Sequence, residues 1–102
     1  MIKVMVTKVC NDIREIRISG HAYSAEKGHD LICAGVSSIG VGLLNAIDQM
    51  CKDETNLVCQ NNMIKIIVLQ NSTKLQNVLC TGLFQLKTMA ERYPENIIIT
   101  EV

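Results

Sequence analysis

Two histidines and a cysteine lie close together in the first third of the sequence and could perform nucleophilic chemistry. They are His21, His29 and Cys33, and the chain has no other histidine. A thiol is a strong nucleophile only as a thiolate, which a neighbouring histidine can generate by taking its proton. The spacing therefore predicts a catalytic cysteine–histidine pair, with Cys33 as the nucleophile and one of the two histidines as its base.

The position of Cys33 relative to a helix start favours the same chemistry. Asp30 precedes an apolar pattern typical of a helix, and a carboxylate is a good N-cap group. Cys33 would then be the third helical residue, where the partial positive charge of the helix start favours a thiolate. The charge of Asp30 opposes that effect, so a histidine must supply the missing activation. Free N–H groups around Cys33 and Ala34 are candidates to hold an oxyanion.

The residues alone leave other chemistries open. Cys33 could be a structural thiol, because cysteine is among the most often buried residue types. His21, Asp30 and Cys33, with His29, could also hold a metal, since catalytic zinc often uses three protein ligands. A third alternative is a non-catalytic binding module of the same fold. We expect a catalytic pair with no metal and no cofactor.

Composition limits the class of protein. The chain has 102 residues, which suits one domain, and 48% of them are hydrophobic, so a core can form without disulfides. Ten basic and ten acidic residues cancel, whereas a nucleic-acid binder usually shows a basic excess. Five widely spaced cysteines without a C-x-x-C pair argue against a disulfide framework and a zinc knuckle. We expect most of these thiols to be small core hydrophobes.

The chain shows no pattern of a secretory leader and no uninterrupted apolar run of the roughly 18 residues that span a bilayer. Together with the unpaired cysteines, this predicts a cytoplasmic protein. The expectation is a soluble enzyme or binding module with no membrane and no direct nucleic-acid partner.

Hydrophobic periodicity predicts the order ββαββαβ in one α+β domain over residues 1–102, a mixed sheet packed with two helices. Turns are predicted at Asn11-Asp12 and Asn61-Asn62. A second helix begins after a cap at Asn71 or Ser72. The predicted strands cover residues 2–7, 15–19, 57–59, 63–69 and 96–102.

The first helix carries an apolar stripe that should be buried. Three glycines interrupt the helix, at Gly35, Gly40 and Gly42. Each weakens it by about 1 kcal/mol relative to alanine, so we expect another element to pack closely against them. The stripe consists of Ile32, Val36, Ile39, Leu43, Ile47 and Met50.

Before that helix, a polar segment rich in small residues forms a loop between Gly20 and Gly28. Such a loop could fold back over the helix start and close over a bound peptide, or its glycines could be ordinary turn residues. Tyr23 in the loop, with Leu31 and Ile32 beyond it, could line an apolar pocket for a substrate side chain.

This region resembles the signature of the ribosomal-processing cysteine protease family of bacteria. The match consists of Gly20-His21-Ala22 followed by Gly28-His29-Asp30-Leu31-Ile32-Cys33-Ala34-Gly35-Val36-Ser37. Length and element order extend the resemblance loosely over the whole chain, but only the block from Gly20 to Ser37 is specific.

The resemblance implies an endopeptidase that removes an N-terminal extension from large-subunit ribosomal protein L-twenty-seven, cutting after an aromatic pair in a hydrophobic leader. It places the nucleophile on Cys33 and the base on His21, whereas His29 falls at a position that is not fixed. The family's aspartate and serine fall on Asp30 and Ser37. The family is also associated with homodimers, whose contact the glycine-rich helix or the last strand could supply.

In the implied mechanism, His21 takes the proton of Cys33, the thiolate attacks the scissile carbonyl, and His21 protonates the leaving amine before water hydrolyses the thioester. Asp30 either caps the helix or orients His21. Ser37 lies one turn after Cys33 and either hydrogen-bonds near the site or back-bonds to a helix carbonyl.

Overall fold

A computed structural model of the protein describes residues 1–20 and 29–102, with the backbone alone at positions 29 and 30. Within these ranges the element order is ββαββαβ, which confirms the predicted α+β fold. The elements are β1 (Ile2–Val9), β2 (Asp12–Ser19), α1 (His29–Met50), β3 (Thr55–Gln60), β4 (Met63–Val68), α2 (Thr73–Arg92) and β5 (Ile97–Glu101).

The five strands form one mixed sheet in the order β3-β4-β2-β1-β5. Only β1 and β5 are parallel, and the other three neighbouring pairs are antiparallel. The register places Val4 beside Ile18 and Ile99, and Ile18 beside Ile64. The end of β2, the start of β4 and the starts of β1 and β5 therefore meet at one end of the sheet.

Alternate strand side chains are buried beneath the two helices, as the period-two pattern requires. On α1, four members of the predicted stripe are buried, while Ile39 is half-buried. The prediction for Met50 is wrong: its side chain is 52% exposed, because α1 ends there and Cys51 takes the buried position instead. The four buried members are Ile32, Val36, Leu43 and Ile47.

The glycines of α1 differ in what they approach. A Cβ built on Gly35 would lie 2.8 Å from Met89 Cε in α2, and one on Gly40 would lie 2.6 Å from Ile64 Cδ1 in β4. These two confirm the predicted close packing. At Gly42 the prediction is wrong within residues 1–20 and 29–102, of which no atom lies within 4 Å of the corresponding Cβ position.

Two tight turns join the antiparallel strands, and both use left-handed residues. Asn61 and Asn62, with φ of 51° and 60°, connect β3 to β4 as predicted. The first turn is formed by Cys10 and Asn11, one residue earlier than predicted, with φ of 52° and 68°. Two consecutive positive φ values match the twist of a two-residue hairpin, and asparagine tolerates them well.

The second helix is fixed at both ends and to the sheet. Ser72 is its N-cap, with Oγ accepting the Leu75 N–H at 3.1 Å, and Pro94 follows shortly after its last residue. The Gln76 side chain accepts from the Ile13 N–H and donates to the Ile13 carbonyl, both at 2.8 Å. This paired contact ties the start of α2 to the start of β2.

By length and hydropathy, α1 would suffice to cross a bilayer: Leu31–Met50 has a mean hydropathy of 1.6. The sequence expectation considered only uninterrupted apolar runs and missed this. In the fold, the buried stripe of α1 faces the sheet and α2, and 22% of the apolar window within Leu31–Met50 is buried.

Candidate active site

Cys33 lies near the start of α1 and is half-buried, with its side chain packed against the hydrophobic core. The helix begins at His29, one residue before Asp30. Asp30 is therefore in the first turn and not at the N-cap, and Cys33 is the fifth helical residue, not the third. Capping preferences locate a helix end only to within a residue or two, which accounts for the difference.

This shift changes which backbone N–H groups are free. Only the first few N–H groups of a helix lack an intrahelical acceptor. With the helix beginning at His29, those groups extend no further than Leu31. Cys33 and Ala34 therefore lie in the second turn of α1, and their role in holding an oxyanion stays a prediction.

The residues just before Cys33 divide between core and surface. Ile32 is 8% exposed and belongs to the core, so it does not line a substrate pocket as one prediction had it. Leu31 is 78% exposed, which leaves a large apolar side chain at the surface two residues before the sulfur. Gly35, against Met89, brings the first turns of α1 close to the end of α2 and fixes their position.

Ser37, one turn after Cys33, is half-buried and lines a small pocket of about 180 Å³ between α1 and the β3–β4 hairpin. The sequence showed the turn at Asn61-Asn62 but not its neighbours in space, because the contact joins segments more than twenty residues apart. The other lining residues are Val41, Cys59, Gln60, Asn61, Asn62, Met63 and Ile64.

All five cysteines are free. The expectation that most lie in the core is wrong, since Cys10, Cys59 and Cys80 are exposed and only Cys51 is buried. Their positions explain this: a tight turn, an edge strand and the outer side of α2. Burial, reinforced by Glu54, raises the pKa of the Cys51 thiol. Cys51 therefore stays protonated at neutral pH and is an inert core residue.

Several predicted site residues lie outside the described residues: His21, Ala22, Tyr23 and Gly28. The side chains of His29 and Asp30 lie outside them as well. The pairing of Cys33 with His21, and the orientation of His21 by Asp30, therefore stay predictions.

Gly20 is described, and its backbone requires glycine. Its φ is +80°, and a Cβ there would lie 2.6 Å from the Met1 carbonyl oxygen. This confirms a turn glycine where the chain leaves β2, while its role as a hinge stays a prediction.

Among the side chains that the structure describes, no three of histidine, cysteine, aspartate or glutamate cluster so as to hold a metal. The alternative metal site draws on His21, His29 and Asp30, whose side chains lie outside that part, and on Cys33. That alternative therefore lies outside the described residues.

Comparison with known proteins shows which family the chain resembles. The family described as cysteine protease Prp matches residues 1–98. The ribosomal processing cysteine protease Prp of Staphylococcus aureus is 33% identical over 88 residues, which cover 83% of this chain and 83% of that protein. The Mycoplasma pneumoniae protein of the same name is 33% identical over 102 residues, covering 95% of this chain and 91% of that protein.

A solved structure supports the same family. The S. aureus protease in complex with a substrate peptide superposes with a TM-score of 0.91 at 29% identity, covering both chains completely. Because the family and these relatives are cysteine proteases, the protein is an enzyme of that class, and the alternative of a non-catalytic binding module is not supported. The match over nearly its whole length shows that the chain belongs to the Prp family of cysteine proteases.

Proposed function

We propose that this protease removes the N-terminal leader of large-subunit ribosomal protein L-twenty-seven, cutting after an aromatic pair, and that ribosome maturation depends on this cut. The ribosomal part of the proposal is supported by the names of the S. aureus and M. pneumoniae relatives. The aromatic leader is supported by the resemblance of the Gly20–Ser37 block to the family signature.

One observation carries the chemistry of the proposal. A structure of the S. aureus relative holds a covalently linked product peptide, and this chain superposes on it with a TM-score of 0.89 at 30% identity. A covalent link to product fits a nucleophilic mechanism with an acyl-enzyme intermediate. In this chain Cys33 is the thiol suited to that role, since it is half-buried near a helix start while Cys51 is buried and the others lie elsewhere.

The proposed mechanism uses Cys33 and His21. His21 takes the thiol proton, the sulfur attacks the scissile carbonyl, and the tetrahedral intermediate collapses to a thioester as His21 protonates the leaving amine. Water then attacks the thioester, with His21 as the base, and the carboxylate product leaves. Asp30 and Ser37 support the pair, Asp30 by orienting His21 or by its place in the first turn of α1, and Ser37 from the next turn.

We also propose that the enzyme acts in the cytoplasm as a homodimer. Five free cysteines suit a reducing compartment, where ribosomal proteins are made. The last strand, β5, lies at a sheet edge and carries Ile98, which is 49% exposed, so a second copy could pair there. Light scattering should give twice the chain mass of 11.3 kDa, and a monomer at micromolar concentration would refute the dimer.

The test of the function uses the ribosomal protein from the same genome, with its leader intact. Incubation with the purified protease should yield one new N-terminus, read by mass spectrometry, directly after the aromatic pair. The matched control is Cys33→Ala, which keeps the chain otherwise unchanged and should leave the precursor intact. A precursor that survives the wild-type enzyme, or a cut elsewhere, would contradict the proposed substrate.

A further inference from the structure

The pocket between α1 and the β3–β4 hairpin has no role in the mechanism described above. Its volume is about 180 Å³. Pockets for drug-sized ligands measure roughly 300–1,000 Å³, so this one suits a single side chain. It lies at the end of the sheet where β2 ends and β4 begins, because its lining residue Ile64 in β4 pairs with Ile18 of β2. In the sequence, β2 is followed by α1, the helix that carries the nucleophile.

The pocket is continuous with the nucleophile along one face of α1. Cys33, Ser37 and Val41 are spaced by four residues, so they follow one another on the same face, about 6 Å apart along the helix axis. Ser37 and Val41 line the pocket. A peptide whose scissile carbonyl lies at Cys33 would thus place a neighbouring side chain within reach of the pocket.

The position of the pocket is fixed on both sides. The backbone of Gly40 packs against Ile64, and this holds α1 directly on β4. The hairpin turn is held by the paired left-handed residues Asn61 and Asn62. A site between two such elements is preorganised, which spares a bound peptide part of the ordering cost of binding.

The lining selects the kind of side chain that can enter. Val41, Met63 and Ile64 supply apolar surface, and the hairpin supplies the amide groups of Gln60 and its two neighbouring asparagines. Among the residues that the structure describes, no aspartate, glutamate, lysine, arginine or histidine lines the pocket. A charged side chain would lose water there without gaining a partner, whereas an apolar one would gain from burial.

We propose that this pocket is the specificity subsite of the protease, which binds an uncharged apolar side chain of the substrate next to the scissile bond. The amide side chains of Asn61 and Asn62 at its rim are placed to hydrogen-bond the peptide backbone. The proposal rests on the protease function, but not on the identity of the ribosomal substrate.

The first test uses two reagents that differ only in their side chain. Tosyl-phenylalanyl and tosyl-lysyl chloromethyl ketones both alkylate a nucleophilic cysteine: a carbon–sulfur bond forms, the carbon–chlorine bond breaks, and chloride leaves. Each rate at Cys33 is divided by the rate with glutathione, which corrects for intrinsic reactivity. We expect the phenylalanyl reagent to be favoured by about 10-fold or more, the range for an apolar pocket. Equal corrected rates would overturn the proposal.

A pair of variants then tests whether the preference for the phenylalanyl reagent arises in this pocket. Val41 is 44% exposed, so Val41→Trp should fill the pocket without disturbing the core. It should reduce the preference to about 2-fold or less. The preference is the ratio of two rates in the same variant, so a change in the general reactivity of Cys33 cancels. Gln49→Trp adds the same side chain at an exposed position of α1 outside the pocket and should leave the preference intact. A preference that survives Val41→Trp places the subsite elsewhere.

A second measurement needs no variant, because Cys59 lines the pocket and is exposed. After Cys33 has reacted with the phenylalanyl reagent, iodoacetamide should label Cys59 several-fold more slowly than after reaction with the lysyl reagent. Cys10 and Cys80, exposed elsewhere, serve as internal controls and should label equally in both samples. Unprotected Cys59 would contradict the proposal.

Failure of the subsite and failure of the ribosomal substrate give different results. An intact precursor together with a phenylalanyl preference lost in Val41→Trp means that the substrate is wrong and the subsite stands. A cleaved precursor together with a preference that Val41→Trp does not change means that the subsite is wrong and the substrate stands.

Discussion

Gly40 of α1 packs directly against Ile64 of β4: a Cβ on Gly40 would lie 2.6 Å from Ile64 Cδ1 and 3.4 Å from Ile18 Cδ1. Ile64 is 3% exposed, so its side chain has little room to give way. The absence of a side chain at this position therefore lets the helix that carries Cys33 lie on the sheet. It also holds α1 at a fixed distance from the hairpin.

Two glycine substitutions test this packing. Gly42→Ala should raise the free energy of unfolding by about 0.5–1 kcal/mol, because alanine favours the helix and nothing lies within 4 Å of its Cβ. Gly40→Ala gains the same helix propensity but overpacks the core, which typically costs about 1–3 kcal/mol. In urea denaturation, Gly42→Ala should have a higher free energy of unfolding than Gly40→Ala. Equal values would show that the sheet side chains can move to accommodate the added methyl group.

The nucleophile is tested by removing one atom or replacing it. Cys33→Ala and Cys33→Ser should each lower leader cleavage by roughly 10³-fold or more, since serine is a far weaker nucleophile without dedicated activation. Because Cys33 is only half-buried, both variants should keep the circular dichroism spectrum and melting behaviour close to wild type. Substantial cleavage by either folded variant would remove Cys33 from the role.

The two histidines should differ in importance. His21→Ala should lower kcat by about 10²-fold or more, the usual contribution of a positioned base, and His29→Ala should lower it much less. The assignment comes from the motif position of His21, because sequence spacing alone does not choose between them. Steady-state kinetics on one leader peptide measure both variants side by side. An inactive His29→Ala with an active His21→Ala would reverse the assignment.

The cysteines should label with iodoacetamide in a defined order at neutral pH. Cys33 should react first if His21 is its base, because a neighbouring base generates the thiolate. Cys51 should react last, since it is 2% exposed and burial raises its thiol pKa. A raised pKa means less thiolate at any given pH, so Cys51 should begin to react only above the pH of an ordinary thiol, about 8.5. Unfolding in urea should abolish the order, and uniform labelling of the folded protein would contradict it.

Much of the fold follows from local patterns. Period-two alternation and helical stripes predict the element order, and N-cap preferences predict that α2 begins after Asn71 or Ser72, of which Ser72 is the cap. The two wrong predictions on α1 share one origin: a local pattern does not show where an element ends or what packs against a given residue. Met50 fits the stripe of α1 but lies at its last turn, and Gly42 fits the glycine series but faces open space.

The site was predictable to a different extent. Cys33 could be chosen because two histidines and a helix start lie near it in the sequence. The family match shows a cysteine protease, while the choice of Cys33 among the five cysteines stays a prediction. The pocket beside Ser37 could not be predicted, because the hairpin around Asn61 that forms it is distant in the sequence. Only the sheet register brings this hairpin next to Ser37.

The aromatic residues of the leader should determine how fast it is cut. Replacing those just before the cut by alanine removes an apolar side chain from a pocket that offers it apolar surface at Val41, Met63 and Ile64. Loss of a buried aromatic side chain costs on the order of 3 kcal/mol in comparable core sites, so kcat/KM should fall by roughly 10²-fold. Replacing lysines of the leader by alanine should change kcat/KM by about 2-fold or less at physiological salt, because exposed charges are screened beyond ~8 Å. In addition, none of the described residues that line the pocket is charged. A peptide series followed by chromatography separates the two contributions, with the unsubstituted leader as reference. If the lysine substitutions prove the more damaging, recognition is electrostatic and lies on a different surface of the enzyme.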